Sequence, residues 1–198
     1  MNYPQVALIL LAAGESKRMG TPKQLLQYRG CSLIRHAASS AIASSCNSIT
    51  IVLGANSDRL TPEINDLPVH ISYNQGWQEG MSSSIATGMN TLLEMNLDFD
   101  AVIVALSDQP FITNRVYDRL IKSYDQNPLK AVACNYSDTI GVPALFDRTL
   151  VAELLELKHQ EGAKQILNRY SDRAFNLDLP EAAIDIDTPA DYQKLLEI

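Results

Sequence analysis

The sequence predicts a three-layer α/β/α fold built on a mostly parallel sheet. Short, near-continuous apolar runs such as Val6–Leu11 and Ala101–Leu106 (AVIVAL) mark strands covered on both faces. Between them lie segments whose apolar residues recur at helical spacing, as amphipathic helices require. Strand–helix alternation over the whole length places helices on both faces of the sheet.

Taken in order, the first strand is Val6–Leu11, which breaks into a small-residue loop carrying Gly14 and Gly20. Ser48–Leu53 and Val69–Tyr73 read as the next strands. Met81, Ile85 and Met89 then mark a helix face. Ala101–Leu106 is a buried strand stopped by Pro110, and Val116 and Leu120 define the helix after it. Ala131–Cys134 and Pro143–Phe146 read as strands, and Leu150, Leu154 and Leu157 as a helix. Thr188–Leu196 has a helix-start signature: Thr188 as cap, Pro189 in the first turn, Asp191 three residues after the cap. With no internal repeat, low-complexity tract or linker, residues 1–198 are read as one domain.

Composition narrows the function. The apolar content of 46% suffices for a core, and the net charge of −7 argues against nucleic acid as a partner. No apolar run approaches the roughly 20 residues that span a membrane. The first strand lacks the basic flank of a signal peptide. Cys31, Cys46 and Cys134 are far apart and without metal-ligand spacing, so they read as reduced, packed residues. The expectation is a cytoplasmic protein with no nucleic-acid or membrane partner.

Against that acidic background, Lys17, Arg18 and Lys23 fall within seven residues of one another, just after a buried strand. A glycine-bearing, cationic loop at a strand end is how α/β proteins receive a polyanion such as a triphosphate. Neither the Walker pattern nor GxGxxG is present, so the geometry must be a different one. Pro22 fixes φ next to Lys23.

LAAGESKRMGTPKQLL (11–26) resembles the LAAGxSxRMGxxKxLL signature of the MobA-like nucleotidyltransferases, in particular the molybdenum cofactor cytidylyltransferase branch. The resemblance continues through NQGWQEGMSSSIATGM (74–89), LSDQP (106–110), GVPALF (141–146), EGAKQIL (161–167) and DIDTPADY (185–192). It implies a Rossmann-like fold of the nucleotidyltransferase type, with the N-terminal half binding nucleotide and the C-terminal half the acceptor. The implied reaction is Mg2+-dependent transfer of CMP from CTP to the molybdenum–molybdopterin cofactor, with release of pyrophosphate. A sugar phosphate or another phosphorylated metabolite is the alternative acceptor, and a non-catalytic carrier the alternative class. A recipient molybdoenzyme or its chaperone would be a further partner.

The resemblance also distributes roles. Leu11, Ala12, Ala13, Gly14, Arg18, Gly20 and Lys23 would cradle the nucleotide, with Arg18 and Lys23 as catalytic cations on the phosphates. Lys17 reads as a solvent-facing residue. Asp108, delivered to a strand end, either caps a helix or holds the metal; Thr113 and Asn114 are better placed to cap. Asp187 would be the second metal ligand, with helix capping as its other reading, and Asp185 shares its face in an extended segment. Gly80 and Ser82 would meet the base, Ser83 and Ser84 are left open, and Trp77 reads as a loop anchor. A methyl at Ala13, where the guanylyl-transferring branch resembles LAGG, tilts the donor to CTP. Lys164 is either an acceptor-phosphate contact or a surface lysine. Gln109, where well-known cofactor enzymes carry Met, opens the identity of the acceptor. His36, His70 and His159 lie in unrelated contexts and read as structural or surface residues.

Overall fold

The computed structural model describes residues 3–126, 130–136 and 139–197. In chain order the elements are β1 (Val6–Ala12), β2 (Gln27–Tyr28), β3 (Cys31–Ser32), α1 (Leu33–Ile42), β4 (Ser48–Leu53), α2 (Ser57–Leu60), β5 (His70–Tyr73), α3 (Met81–Glu94), β6 (Ala101–Leu106), α4 (Asn114–Gln126), β7 (Ala131–Tyr136), β8 (Thr139–Asp147), α5 (Val151–Leu155), α6 (Lys164–Arg169), β9 (Ala174–Asp178) and α7 (Pro189–Leu196). Seven strands form one sheet in the order β5-β4-β1-β6-β8-β7-β9, and β2 and β3 form a separate ribbon. Within the sheet only β8 runs against its neighbours, pairing antiparallel with both β6 and β7.

Alternation along β1 explains the three layers. Val6, Leu8 and Leu10 face one side, where they join Ala37, Ala38 and Ala41 of α1 and Val116 and Leu120 of α4. Ala7, Ile9 and Leu11 face the other, against Ile85, Met89 and Leu92 of α3 and Leu154 and Ile166 beyond. A third, smaller cluster of Met19, Tyr28, Leu33, Ile186 and Leu195 ties α7 and the segment before it to the β2–β3 ribbon. That cluster brings residues 185–187 back over the carboxyl end of β6, where the Ile186 amide donates to the Asp108 carbonyl at 3.0 Å.

All six expected strands are present, with two adjustments. Pro143–Phe146 belongs to the longer, antiparallel β8, and the Leu150–Leu157 helix is a short α5 entered through a 3-10 turn at Arg148–Leu150. β9 and the β2–β3 ribbon are further elements. Among the described residues, no helix is long and apolar enough to cross a membrane.

Gly88 lets α3 sit close on the sheet. A Cβ there would lie 2.5 Å from Ile9 Cγ2 and 3.1 Å from Val52 Cγ2, both on β-branched side chains that cannot swing aside. Gly88→Ala is therefore expected to destabilise by about 1–3 kcal/mol through overpacking. Denaturant unfolding should show a lower midpoint at an unchanged slope.

Candidate active site

The chain leaves β1 for β4 on one side and returns to β6 on the other, so the crevice at their carboxyl ends is the topological switch point where open α/β sheets hold ligands. A cleft of about 950 Å³ opens there. Its walls are the loop after β1, the 77–84 segment, the end of β6, Gln160, and the pair Asp185 and Asp187.

Lys23 is the centre of the cleft's electrostatics. Its ammonium donates to Asp108 Oδ2 and, at 2.7 Å, to Asp187 Oδ1; Arg18 Nη2 donates to Asp187 Oδ2 at 2.6 Å. The side chains of Lys23 and Asp108 are only 13% and 15% exposed. Burial alone would lower the Lys23 pKa, but Asp108 and Asp187 more than reverse this and hold it above the ordinary lysine value. Burial would likewise raise Asp187, and Lys23 and Arg18 bring it below the usual carboxylate range. Neither carboxylate serves as a helix cap. Thr188 and Asp191 form the complete capping box of α7, and α4 starts at Asn114, beyond Asp108.

Asp185 completes the acidic wall. Its surface opens to the cleft, yet protein crowds its carboxyl, and this partial removal from water, with the negative charges of Asp108 and Asp187, pushes its pKa up to about 6. The sign of the linkage follows. Between the ordinary value of 3.8 and about 6 the folded state binds more protons than the unfolded one, so this group lowers stability as pH rises through that window. In chelator-containing buffer, Asp185→Asn is expected to raise the melting temperature at pH 7 and to leave it nearly unchanged at pH 4.

The donor set suits a hard divalent cation. Asp108 Oδ1 is buried and finds no hydrogen-bond partner among the described residues. Magnesium takes one or two carboxylates and completes its shell with substrate phosphates and water. Accordingly, no group of three or more His, Cys, Asp or Glu among the described residues is arranged to hold a metal ion unaided.

The loop after β1 presents backbone donors. Leu11, Ala12, Ala13, Gly14 and Arg18 all line the cleft. Among the described residues, the N–H groups of Gly14 through Arg18 have no protein acceptor. Gly20, at φ +73°, ends the turn by donating to the Ser16 and Lys17 carbonyls and stands outside the cleft lining. Lys17 borders the cleft but is 79% exposed and paired with Glu15.

The 77–84 segment separates residues that its sequence could not. Gly80, at φ +113°, borders the cleft, and a Cβ there would strike the His159 carbonyl. Ser82 does not reach the cleft: it is 4% exposed, and both its amide and its hydroxyl, the latter at 2.7 Å, donate to the same His159 carbonyl. Ser84 borders the cleft instead, held by the buried Asn74, whose Nδ2 donates to Ser83 at 2.8 Å and Ser84 at 3.0 Å. Trp77 is half-buried and lines the cleft, its Cβ set over Gly54 together with that of Ala13.

Other expected residues lie elsewhere. Lys164 bonds Thr139 at the surface. Gln109 is buried, its Nε2 donating to Ala182 at 3.0 Å and Val142 at 3.3 Å, so it braces the C-terminal half from behind Asp108. His36 donates from Nε2 to the Pro110 carbonyl at 3.0 Å and packs edge-on to Tyr28. Gln24 was not singled out by the sequence: it is 2% exposed, borders the cleft and donates to the Gly14 carbonyl of the loop after β1 at 3.0 Å. The available signal was an amide inside the otherwise apolar KQLL.

Comparison with known proteins agrees with this architecture. Nicotine blue oxidoreductase of Paenarthrobacter nicotinovorans is 36% identical over 70% of this chain and 66% of its own length. A probable molybdenum cofactor guanylyltransferase of Nostoc sp. is 27% identical over 92% of this chain and 86% of its own. The crystal structure of Rv0371c from Mycobacterium tuberculosis H37Rv superposes with a TM-score of 0.84 at 25% identity, covering 100% of both chains, and its manganese complex with 0.76 at 23%, covering 98% of both. The model of the MobA-like NTP transferase domain matches residues 8–174. The cationic loop, the Asp108 strand end and this match over most of the chain place it in the MobA-like NTP transferase family.

Proposed function

We propose that the protein is a cytoplasmic, divalent-metal-dependent cytidylyltransferase that transfers CMP from CTP to the molybdenum–molybdopterin cofactor. The observation that carries the transferase reading is the meeting of Lys23 with Asp108 and Asp187 beside a loop whose N–H groups, Gly14 through Arg18, have no acceptor among the described residues. The phosphate monoester of the acceptor is ionised at neutral pH, its second pKa being about 6. It needs no general base. Its oxygen forms a bond to the α-phosphorus while the bond to the bridging oxygen breaks, and the electron pair leaves with pyrophosphate.

The protein's task is then positioning and charge neutralisation. The N–H groups of Gly14 through Arg18, with Arg18 and Lys23, meet the charge that builds on the leaving pyrophosphate. Asp108 and Asp187 would hold Mg2+ or a similar ion, which when bound offsets phosphate charge. Lys23 and Arg18 pair with these carboxylates and would be free to meet the phosphates with such an ion bound. The N-terminal half holds the nucleotide and the C-terminal half the acceptor, within a single domain. CTP is favoured as donor because the Ala13 methyl and the Trp77 side chain both line the cleft and narrow it. Such steric discrimination is worth about 1–3 kcal/mol.

The test is pyrophosphate release with molybdenum cofactor and CTP, GTP or ATP in turn, with and without Mg2+ or Mn2+. Release with CTP that stops on adding a chelator and returns with excess metal is expected. Release only with a sugar phosphate would replace the acceptor. Tight nucleotide binding with no release for any acceptor would leave a carrier, and oxidation of a reduced nicotinamide in its place would overturn the transferase reading.

A further inference from the structure

Gln24 is a buried amide next to Lys23, and both polar atoms of its side chain are committed to the loop after β1. Nε2 donates to the Gly14 carbonyl at 3.0 Å and to the Ala12 carbonyl at 3.4 Å. Oε1 accepts from Ser16 Oγ at 3.2 Å, and Ser16 Oγ in turn accepts the Lys23 amide at 3.1 Å. Ser16 itself stands at φ +62°, a left-handed conformation that costs a non-glycine residue energy and persists where its surroundings enforce it.

These contacts sort the loop's two faces. A segment that receives an anion must aim its N–H groups at the ligand and keep its carbonyl oxygens away from it. Gln24 occupies two carbonyls, Ala12 and Gly14, while the N–H groups of Gly14 through Arg18 are left without a protein acceptor among the described residues. Through Ser16 the same side chain fixes the backbone of Lys23, whose ammonium sits on Asp108.

We propose that Gln24 is the positioning residue of the triphosphate site: it sets the orientation of the 12–18 loop and couples that loop to Lys23, without touching substrate. This rests on the nucleotidyltransferase reading. Because the N–H groups of Gly14 through Arg18 would meet phosphates in that reading, loss of Gln24 acts on the triphosphate moiety whatever the base.

The experiment is isothermal titration of the whole chain with Mg2+-CTP, Mg2+-ATP and Mg2+-tripolyphosphate, comparing wild type, Gln24→Met, Gln24→Glu and Ile121→Val. Ile121 is a fully buried core residue of α4, outside the cleft lining, and controls for lost stability alone. Gln24→Met keeps the volume and removes the donors. It should weaken all three ligands by the same factor of about ten, the scale of a displaced buried hydrogen-bonding group. Gln24→Glu, which offers the carbonyls no donor and adds a negative charge, should weaken them further. Ile121→Val should bind like wild type despite a lower melting temperature. Wild-type affinity in both Gln24 variants overturns the proposal, as does weakening confined to one base. If either Gln24 variant fails to fold, pyrophosphate affinity of the folded one decides. Wild type that binds no triphosphate fails the nucleotidyltransferase reading itself, a result distinct from failure of Gln24's role.

Discussion

Asp108→Asn is expected to lower turnover by about 10³-fold or more, the scale of removing one preorganised charge-stabilising group from a site. The substitution is nearly isosteric, so the β6 end and the loop to α4 should keep their packing. What changes is charge. Asp108 Oδ2 holds the Lys23 ammonium and Oδ1 is buried without a partner among the described residues, so in the proposed mechanism one carboxylate would position Lys23 and offer its remaining oxygen to a metal. An amide serves neither purpose well. The variant should also need more Mg2+ for half-maximal rate, and steady-state kinetics across a metal titration reads both effects. Full turnover at ordinary metal concentration would remove Asp108 from the mechanism.

Lys23→Met should cost both activity and stability. The methionine fills the stem's volume but leaves Asp108, Asp185 and Asp187 facing one another without their shared cation. Removing one partner of a buried pair typically destabilises by about 3–5 kcal/mol. The low end, about 3 kcal/mol, applies because Asp187 is 32% exposed and keeps part of its hydration. The defect should shrink as pH falls. Without Lys23 the carboxylates bind protons more readily when folded, so acidification favours the folded variant. Combining Lys23→Met with Asp108→Asn should recover much of the stability and none of the activity. Chemical denaturation of the two single variants and the double variant gives the coupling directly. Additive losses would mean that the pair contributes nothing to the fold.

The parts of this molecule that were legible in its sequence are those where local pattern and burial coincide. β1 and β6 are apolar on both faces because helices cover both, and their runs announce it. β9 escaped notice because it is an edge strand with Phe175 and Asn176 exposed, leaving neither a continuous run nor clean alternation. The reversal of β8 is set by which neighbour it pairs with, and nothing local in TIGVPALFD encodes that. At the site, Arg18, Lys23 and Asp187 were readable through the resemblance of their segments to a family signature, and Asp108 also by its place at the end of an apolar run. The serines of α3 were not: three identical side chains in a row differ only in the direction the helix turns them. That turn sends Ser82 to the His159 carbonyl and Ser84 to the cleft. Gln24 was hidden for the opposite reason, since its role depends on the carbonyls of a loop that comes ten or more residues earlier.

The joint between Ser82 and residue 159 has a consequence for how such a protein can diversify. Both bonds from Ser82 end on a backbone carbonyl, and the Cβ-free approach at Gly80 is to that same carbonyl. Any amino acid at position 159 that can hold the observed φ of +51° supplies the identical acceptor, while the Gln160 side chain packs beside Gly80. Position 159 can therefore change its side chain while the turn that carries it stays fastened to the start of α3. Gly80 and Ser82 are the positions where that freedom stops.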